Sequence, residues 1–207
     1  MLFRSLSEFS DFLDIQTQTA WGRTLKEFAA WCNPPPGARI LDAGCGPGLL
    51  PALFTQAGHF SAGLDSDFPL LRGSPFTRSI VQGDIYHLPF TTCSFDLLTA
   101  TNVIFLLGDP LRALRESRRV LSAGGQLCLL NPSERLTVKS ATELADSRGL
   151  DGENRESLLG WARRAEKYCG WTEEKSVSLL HRAGFRQVGT VLRVGPGFAR
   201  FSRAVWA

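Results

Sequence analysis

The sequence predicts an α/β fold: one mostly parallel sheet with helices on both faces. Three observations carry this. Short apolar runs alternate with helical segments at the spacing of βαβ units, the last two strand-like stretches lie only three residues apart, and the composition is that of an ordinary globular core. With 207 residues, 43% of them hydrophobic and 21% charged, the chain suits one large domain and is too apolar for a disordered one.

In chain order, Ala20, Trp21, Leu25, Phe28 and Ala29 follow helical spacing from Thr17 onward. Asn33-Pro34-Pro35-Pro36-Gly37 stops that helix, because proline cannot extend the hydrogen-bond ladder. Runs at 39–43, 60–64, 79–82, 95–100 and 126–130 each fit a strand buried on both faces. Asp109 before Pro110 makes an N-cap with proline at the first helical position, opening a helix through Leu121 that ends before Gly124-Gly125. Residues 133–170 interrupt the alternation with two helical faces, one of Leu136, Ala141, Leu144 and Ala145, the other of Leu158, Trp161, Ala165 and Tyr168. Following the fifth strand, they are expected over the carboxyl ends of the strands, where open α/β sheets bind ligands, and so to form a lid. Thr172 caps a helix with acidic residues in its first turn and Gly184 at its end. Gly195-Pro196-Gly197 then joins stretches 186–194 and 198–206, too short a link for a parallel crossover, so these two strands are antiparallel neighbours. The chain divides as one domain over 1–207: an N-terminal helical cap (1–37), a core (38–130), the lid insertion (133–170), and a last helix with an antiparallel strand pair (172–207).

The net charge of +3 is too small to mark a nucleic-acid partner, and Arg112, Arg115, Arg118 and Arg119 spread over more than one helix face, which reads as solvated surface. Cysteines at 32, 45, 93, 128 and 169 form no C-x-x-C pair, so no metal site is expected and the thiols read as buried in a reducing compartment. No apolar run approaches a membrane span, and the N-terminus lacks the order of a signal peptide; a cytoplasmic location is expected.

The chemistry concentrates at Ile40-Leu41-Asp42-Ala43-Gly44-Cys45-Gly46-Pro47-Gly48-Leu49-Leu50. A strand running into a glycine turn and then a helix is expected to aim free backbone N–H groups at a ligand. Leu49 stands where the dinucleotide fingerprint needs glycine, and the carboxylate of Asp42 suits a ligand carrying an ammonium group better than a pyrophosphate. Asp65 closes the second strand about 20 residues further on, the spacing for accepting hydrogen bonds from both ribose hydroxyls. Asp84 closes the third, placed for an exocyclic adenine amine with Ile85 against the ring. Three acids on three successive strand ends describe a pocket for an adenosine ligand with a cationic tail. Asp96 begins a strand and reads as structural. His87 is the histidine nearest this set. Blander roles stay open: Asp65 as a helix cap, Asp84 as a turn acid, and Trp21, Trp161 and Tyr168 as core.

Asp42-Ala-Gly-Cys-Gly-Pro-Gly48, Asp65, Gly83-Asp84, Phe95-Asp96 with Thr101-Asn102, and Glu116-Ser-Arg-Arg-Val-Leu-Ser-Ala-Gly-Gly125 together resemble the ordered motifs of the class I S-adenosylmethionine-dependent methyltransferases. The likeness is to their small-molecule branch, which includes the ubiquinone and menaquinone C-methyltransferases. It implies a Rossmann-like seven-stranded sheet with an antiparallel last strand, S-adenosyl-L-methionine as cofactor, and donor contacts from Asp42, Gly44, Cys45, Gly46, Gly48, Asp65, Ser66, Asp84, Ile85, Thr101 and Asn102. It implies methyl transfer to a small-molecule acceptor, with Trp21, Trp161 and Tyr168 as candidate acceptor contacts. The alternatives are a non-catalytic donor-binding partner subunit, or methylation of protein or RNA. The family often has a histidine pair after the fourth strand; here the chain reads Asn102-Val-Ile-Phe105-Leu106, and no general base is identified.

Overall fold

The computed structural model describes residues 19–67, 71 and 79–206. The first 18 residues of the expected cap, Thr17 included, and Ala207 lie outside the described residues. Seven strands form one sheet in the order β3-β2-β1-β4-β5-β7-β6. They are β1 (Arg39–Ala43), β2 (Phe60–Asp65), β3 (Ile80–Gln82), β4 (Phe95–Thr101), β5 (Leu121–Pro132), β6 (Arg186–Arg193) and β7 (Ala199–Val205). Strands β3, β2, β1, β4 and β5 pair in parallel, while β7 is antiparallel to both β5 and β6. The final hairpin therefore stands as the short Gly-Pro-Gly link requires.

Side chains alternate between two apolar layers, as strands buried on both faces must. Leu41, Ala43, Leu98, Leu127 and Leu129 pack on one face under helices α3 (Pro110–Val120) and α6 (Glu173–Arg182), with Phe105, Trp171 and Phe185. Ile40, Leu97, Cys128 and Leu130 pack on the other under α1 (Ala20–Cys32), α2 (Leu49–Gln56), α4 (Val138–Ser147) and α5 (Gly152–Tyr168). Each fully buried phenylalanine here, Phe28, Phe54 and Phe201 among them, contributes about 2–3 kcal/mol. Among the described residues no helix is long and apolar enough to cross a membrane.

Helix ends follow local chemistry. The Asp109 carboxylate accepts from the Arg112 amide at 3.0 Å, with Pro110 in the first turn, and the Thr172 hydroxyl accepts from Lys175 at 3.1 Å. Helix α1 stops at Asn33, which takes the left-handed conformation at φ 45° before the prolines. Strand β5 begins five residues earlier than its apolar run, because Leu121 pairs with Phe95 before a register shift. Asp96 fulfils its structural reading: its carboxylate accepts from the Arg39 backbone at 2.9 Å and brackets the Arg39 guanidinium, tying the starts of β1 and β4.

Two expectations change. Two of the four arginines of α3 are engaged rather than simply solvated. Arg119 donates to Glu116 and to the carbonyls of Leu88 and Phe90, Glu116 accepts from the Leu88 amide at 2.8 Å, and Arg112 lies 5.1 Å over the Tyr86 ring and contacts His87. Both contact the loop after β3; Arg112 and Arg115 remain exposed. The cysteines are free but not uniformly buried: Cys93 and Cys169 are exposed, both at positive φ in turns where the side chain faces out.

Candidate active site

The parallel order reverses at β1, which pairs with β2 on one side and β4 on the other. The crevice outside the carboxyl ends of β1 and β4 is thus the switch point where such sheets take ligands. The glycine turn lines it, with Gly44, Gly46 and Gly48 at φ 81°, 54° and 92°. Those values are open to glycine and costly for other residues. At Gly44 there is also no room: a Cβ would lie 2.1 Å from the Val103 side chain.

The turn does not present free amides, contrary to expectation. Gly44 and Cys45 N–H both donate to the Leu64 carbonyl at 2.6 and 3.0 Å, Gly46 N–H to Asp65 at 2.8 Å, and Gly48 N–H to the Cys45 carbonyl at 3.0 Å. The loop is strapped to the end of β2, and what it offers is shape and the carboxylates beneath it. The Cys45 side chain packs down against Gly63, and burial pushes its thiol well up. It is inert in this environment.

Asp42 lies at 1% exposure, below the turn rather than at its mouth. One carboxylate oxygen accepts from the Thr99 hydroxyl at 2.7 Å; the other has no partner. Burial pushes this carboxyl up to about 7, the Thr99 bond opposing and the nearby Asp65 charge adding to the shift. The folded state then holds the Asp42 proton more tightly than the unfolded chain. The resulting stability is present below about pH 4 and is lost as pH rises towards 7. Asp42→Asn is therefore expected to be more stable than the parent at pH 8, by about 4 kcal/mol, with the gap closing towards pH 4. Urea unfolding at the two pH values checks this, and a gap independent of pH would contradict it.

Asp65 accepts from the Gly46 and Asp67 amides at 2.8 and 3.0 Å. Burial raises its carboxyl, and those amides oppose the shift. Each oxygen keeps a lone pair, so the group orients the loop and can still accept from a ligand. Ser66 contributes its carbonyl to Gln82 at 3.2 Å. Asp84 is largely exposed; it accepts from the Tyr86 amide at 2.9 Å and meets His87 Nδ1 at 3.1 Å. The Tyr86 amide, then His87, hold its carboxyl below the usual range. Ile85 is buried in the α3/α6 core layer instead of standing open beside Asp84.

At the end of β4, Asn102 takes φ 57°, and its backbone N–H donates to the Leu130 carbonyl at 2.7 Å. Its side-chain oxygen accepts from Trp161 Nε1–H at 3.0 Å, and the Trp161 ring lies 5.5 Å from that of Trp21. Tyr168 sits edge-on to Phe105 at 6.3 Å. The structure thus brings Trp21 and Trp161 to the carboxyl end of β4 from two helices distant in sequence, whereas Tyr168 meets Phe105 of the opposite core layer. The helical pair expected as a lid has a buried face: Ala141, Trp161, Ala162 and Ala165 share the core layer of Ile40, Leu130 and Phe201.

Local reading missed two polar groups. Arg200 on β7, 4% exposed, donates to the Trp171 carbonyl, Thr190 and Glu134. Asn131, 1% exposed at the end of β5, has neither side-chain oxygen nor nitrogen partnered. The available signal was a carboxamide breaking the apolar run Leu127–Leu130. An orphaned buried carboxamide costs about 1–3 kcal/mol. Asn131→Leu is therefore expected to raise thermal stability by about 1 kcal/mol, read by calorimetric unfolding; a lower midpoint would mean that Asn131 has a partner in solution.

A family model described as a methyltransferase domain matches residues 41–129. A protein of Encephalitozoon cuniculi named as a methyltransferase is 34% identical over 156 residues, 71% of this chain and 70% of that protein. The demethylmenaquinone methyltransferase of Corynebacterium kroppenstedtii is 26% identical over 170 residues, 76% of this chain and 72% of its own. The malonyl-[acyl-carrier protein] O-methyltransferase of Erwinia billingiae is 36% identical over 105 residues, 49% of this chain and 42% of that enzyme, so the chain spans less than half of that relative. Among solved structures, a SAM-dependent methyltransferase of Aquifex aeolicus superposes with a TM-score of 0.65 at 18% identity, covering 99% of this chain and all of that one, a likeness of fold.

Proposed function

The chain belongs to the class I S-adenosylmethionine-dependent methyltransferases, and from that premise we propose that its methyl acceptor is a small molecule with an apolar, planar face. The observation that carries this reading is the aromatic pair at the end of β4: Trp161, whose indole N–H donates to Asn102, and Trp21 against its ring, neither of them charged. A relative named for demethylmenaquinone supports an acceptor of small size.

The chain's residues fit S-adenosyl-L-methionine. The carboxylate of Asp65 supplies negative charge beside the glycine turn, suited to a ligand's ribose hydroxyls, and the unpartnered Asp42 oxygen beneath the turn is an acceptor left open. In this reading Asp65 accepts from the ribose, Gly44, Gly46 and Gly48 allow close approach, Thr101 and Asn102 close the wall beside the transferred methyl, and Asp84 turns to the adenine amine. Cys45, Ser66 and Ile85 shape the pocket from beneath. The cofactor supplies an already activated methyl on a sulfonium whose departure leaves a neutral thioether. The protein therefore needs no acid for the leaving group. Its work is to align an acceptor nucleophile in line with the breaking bond and to exclude water, which can supply several kcal/mol of the barrier. The Trp21 and Trp161 rings do the excluding.

The test supplies the full chain and methyl-labelled donor to fractionated cell extract. Label in the small-molecule fraction is expected. Label confined to protein or RNA would move the acceptor to a macromolecule, and binding of donor without transfer to any fraction would favour a non-catalytic partner subunit.

A further inference from the structure

We infer that Trp161 is a positioning residue: from α5 it holds the corner at Asn102 and Val103 against the glycine turn, so that seating of the helical pair and binding of the adenosine ligand favour one another. The inference rests on the reading of the site given above.

The contacts form a continuous path. Trp161 donates its indole N–H to Asn102 Oδ1 at 3.0 Å. Asn102 stands in the left-handed region at φ 57°, with its own amide tethered to Leu130 at 2.7 Å, so its backbone has little freedom to absorb a change. The next residue, Val103, fills the space that the missing side chain of Gly44 leaves, where a Cβ would lie 2.1 Å away. Movement of Asn102 is therefore transmitted to the turn that cradles the ligand. On its far side the Trp161 ring meets Trp21 at 5.5 Å, which brings α1 into the same set.

Packing alone does not account for the indole. Phenylalanine would serve a merely apolar position, whereas an indole at 6% exposure that lost Asn102 would leave its N–H unpaired and buried. The bond persists only while α5 is seated, and a seated α5 holds Asn102 in place. Because coupling between two equilibria is reciprocal, a ligand that prefers the ordered turn must in turn favour the seated helix.

The test uses Trp161→Phe, Asn102→Ala and the double variant in the full chain. Affinity for S-adenosylhomocysteine is read by calorimetry, and hydrogen exchange over 152–168 is read with and without that ligand. Each single variant is expected to raise Kd about five- to twenty-fold, the double variant no more than the larger single. In the parent, ligand is expected to slow exchange at 152–168, and that slowing should vanish in both single variants. Should Trp161→Phe itself unfold, Asn102→Ala, which leaves the ring in place, carries the exchange test alone. Additive losses, a Kd within two-fold of the parent, or exchange at 152–168 indifferent to ligand would overturn the coupling and leave the donor site standing. Failure of the parent to bind S-adenosylhomocysteine would instead overturn the site, and the coupling with it.

Discussion

Asp65→Ala is expected to weaken S-adenosylhomocysteine binding by about 2–4 kcal/mol, roughly 30- to 700-fold. The loss exceeds that of an ordinary neutral hydrogen bond for two reasons. A charged acceptor contributes more than a neutral one, and this carboxylate also strings the turn to β2 through the Gly46 and Asp67 amides at 2.8 and 3.0 Å. Removing it both strips the ribose hydroxyls of their partner and frees the loop. Asp65→Asn keeps one oxygen to accept from an amide and so separates the two effects, retaining more of the loop than of the affinity. Calorimetry on folded protein, verified by circular dichroism, decides the matter; unchanged affinity in Asp65→Ala would remove this residue from the donor site.

Gly44→Ala is expected to cost about 2–5 kcal/mol of folding stability. The left-handed conformation at φ 81° charges a residue with a side chain about 1–2 kcal/mol, and forcing a methyl into the space held by Val103 adds about 1–3. Val103→Ala in the same chain should recover part of the second contribution and none of the first. Chemical denaturation of the two single variants and the pair measures this. A Gly44→Ala protein as stable as the parent would show that the turn adopts another conformation in solution.

These two residues were legible because a glycine turn after one strand and an acid closing the next, about 20 residues on, form a spacing that has a mechanical meaning. The same holds for the Asp109 and Thr172 caps, where the donor is three residues from its acceptor. Trp161 and Asn102 are 59 residues apart, and Arg200 and Glu134 are 66. Periodicity can say that Trp161 lies on an apolar face but not that its N–H finds an amide just past the end of β4. Arg119 shows the same limit: its position on α3 predicts a solvated cation, and only the folded loop at Leu88 and Phe90 supplies the carbonyls it binds. The expectation of free amides in the glycine turn failed for a related reason, since the Leu64 carbonyl that occupies two of them belongs to the neighbouring strand.

Strand order has a consequence for synthesis. Strand β5 finds its second partner in β7, whose residues follow it by about 70 positions, and not in β6, which precedes β7. While the chain is being made, the edge of β5 carrying Leu127, Cys128, Leu129 and Leu130 stays open until 199–205 have left the ribosome. An apolar strand with an open edge is a template for pairing with other chains. Nascent chains halted between α6 and β7 are thus the species most prone to aggregate, and chaperone demand should peak in that window.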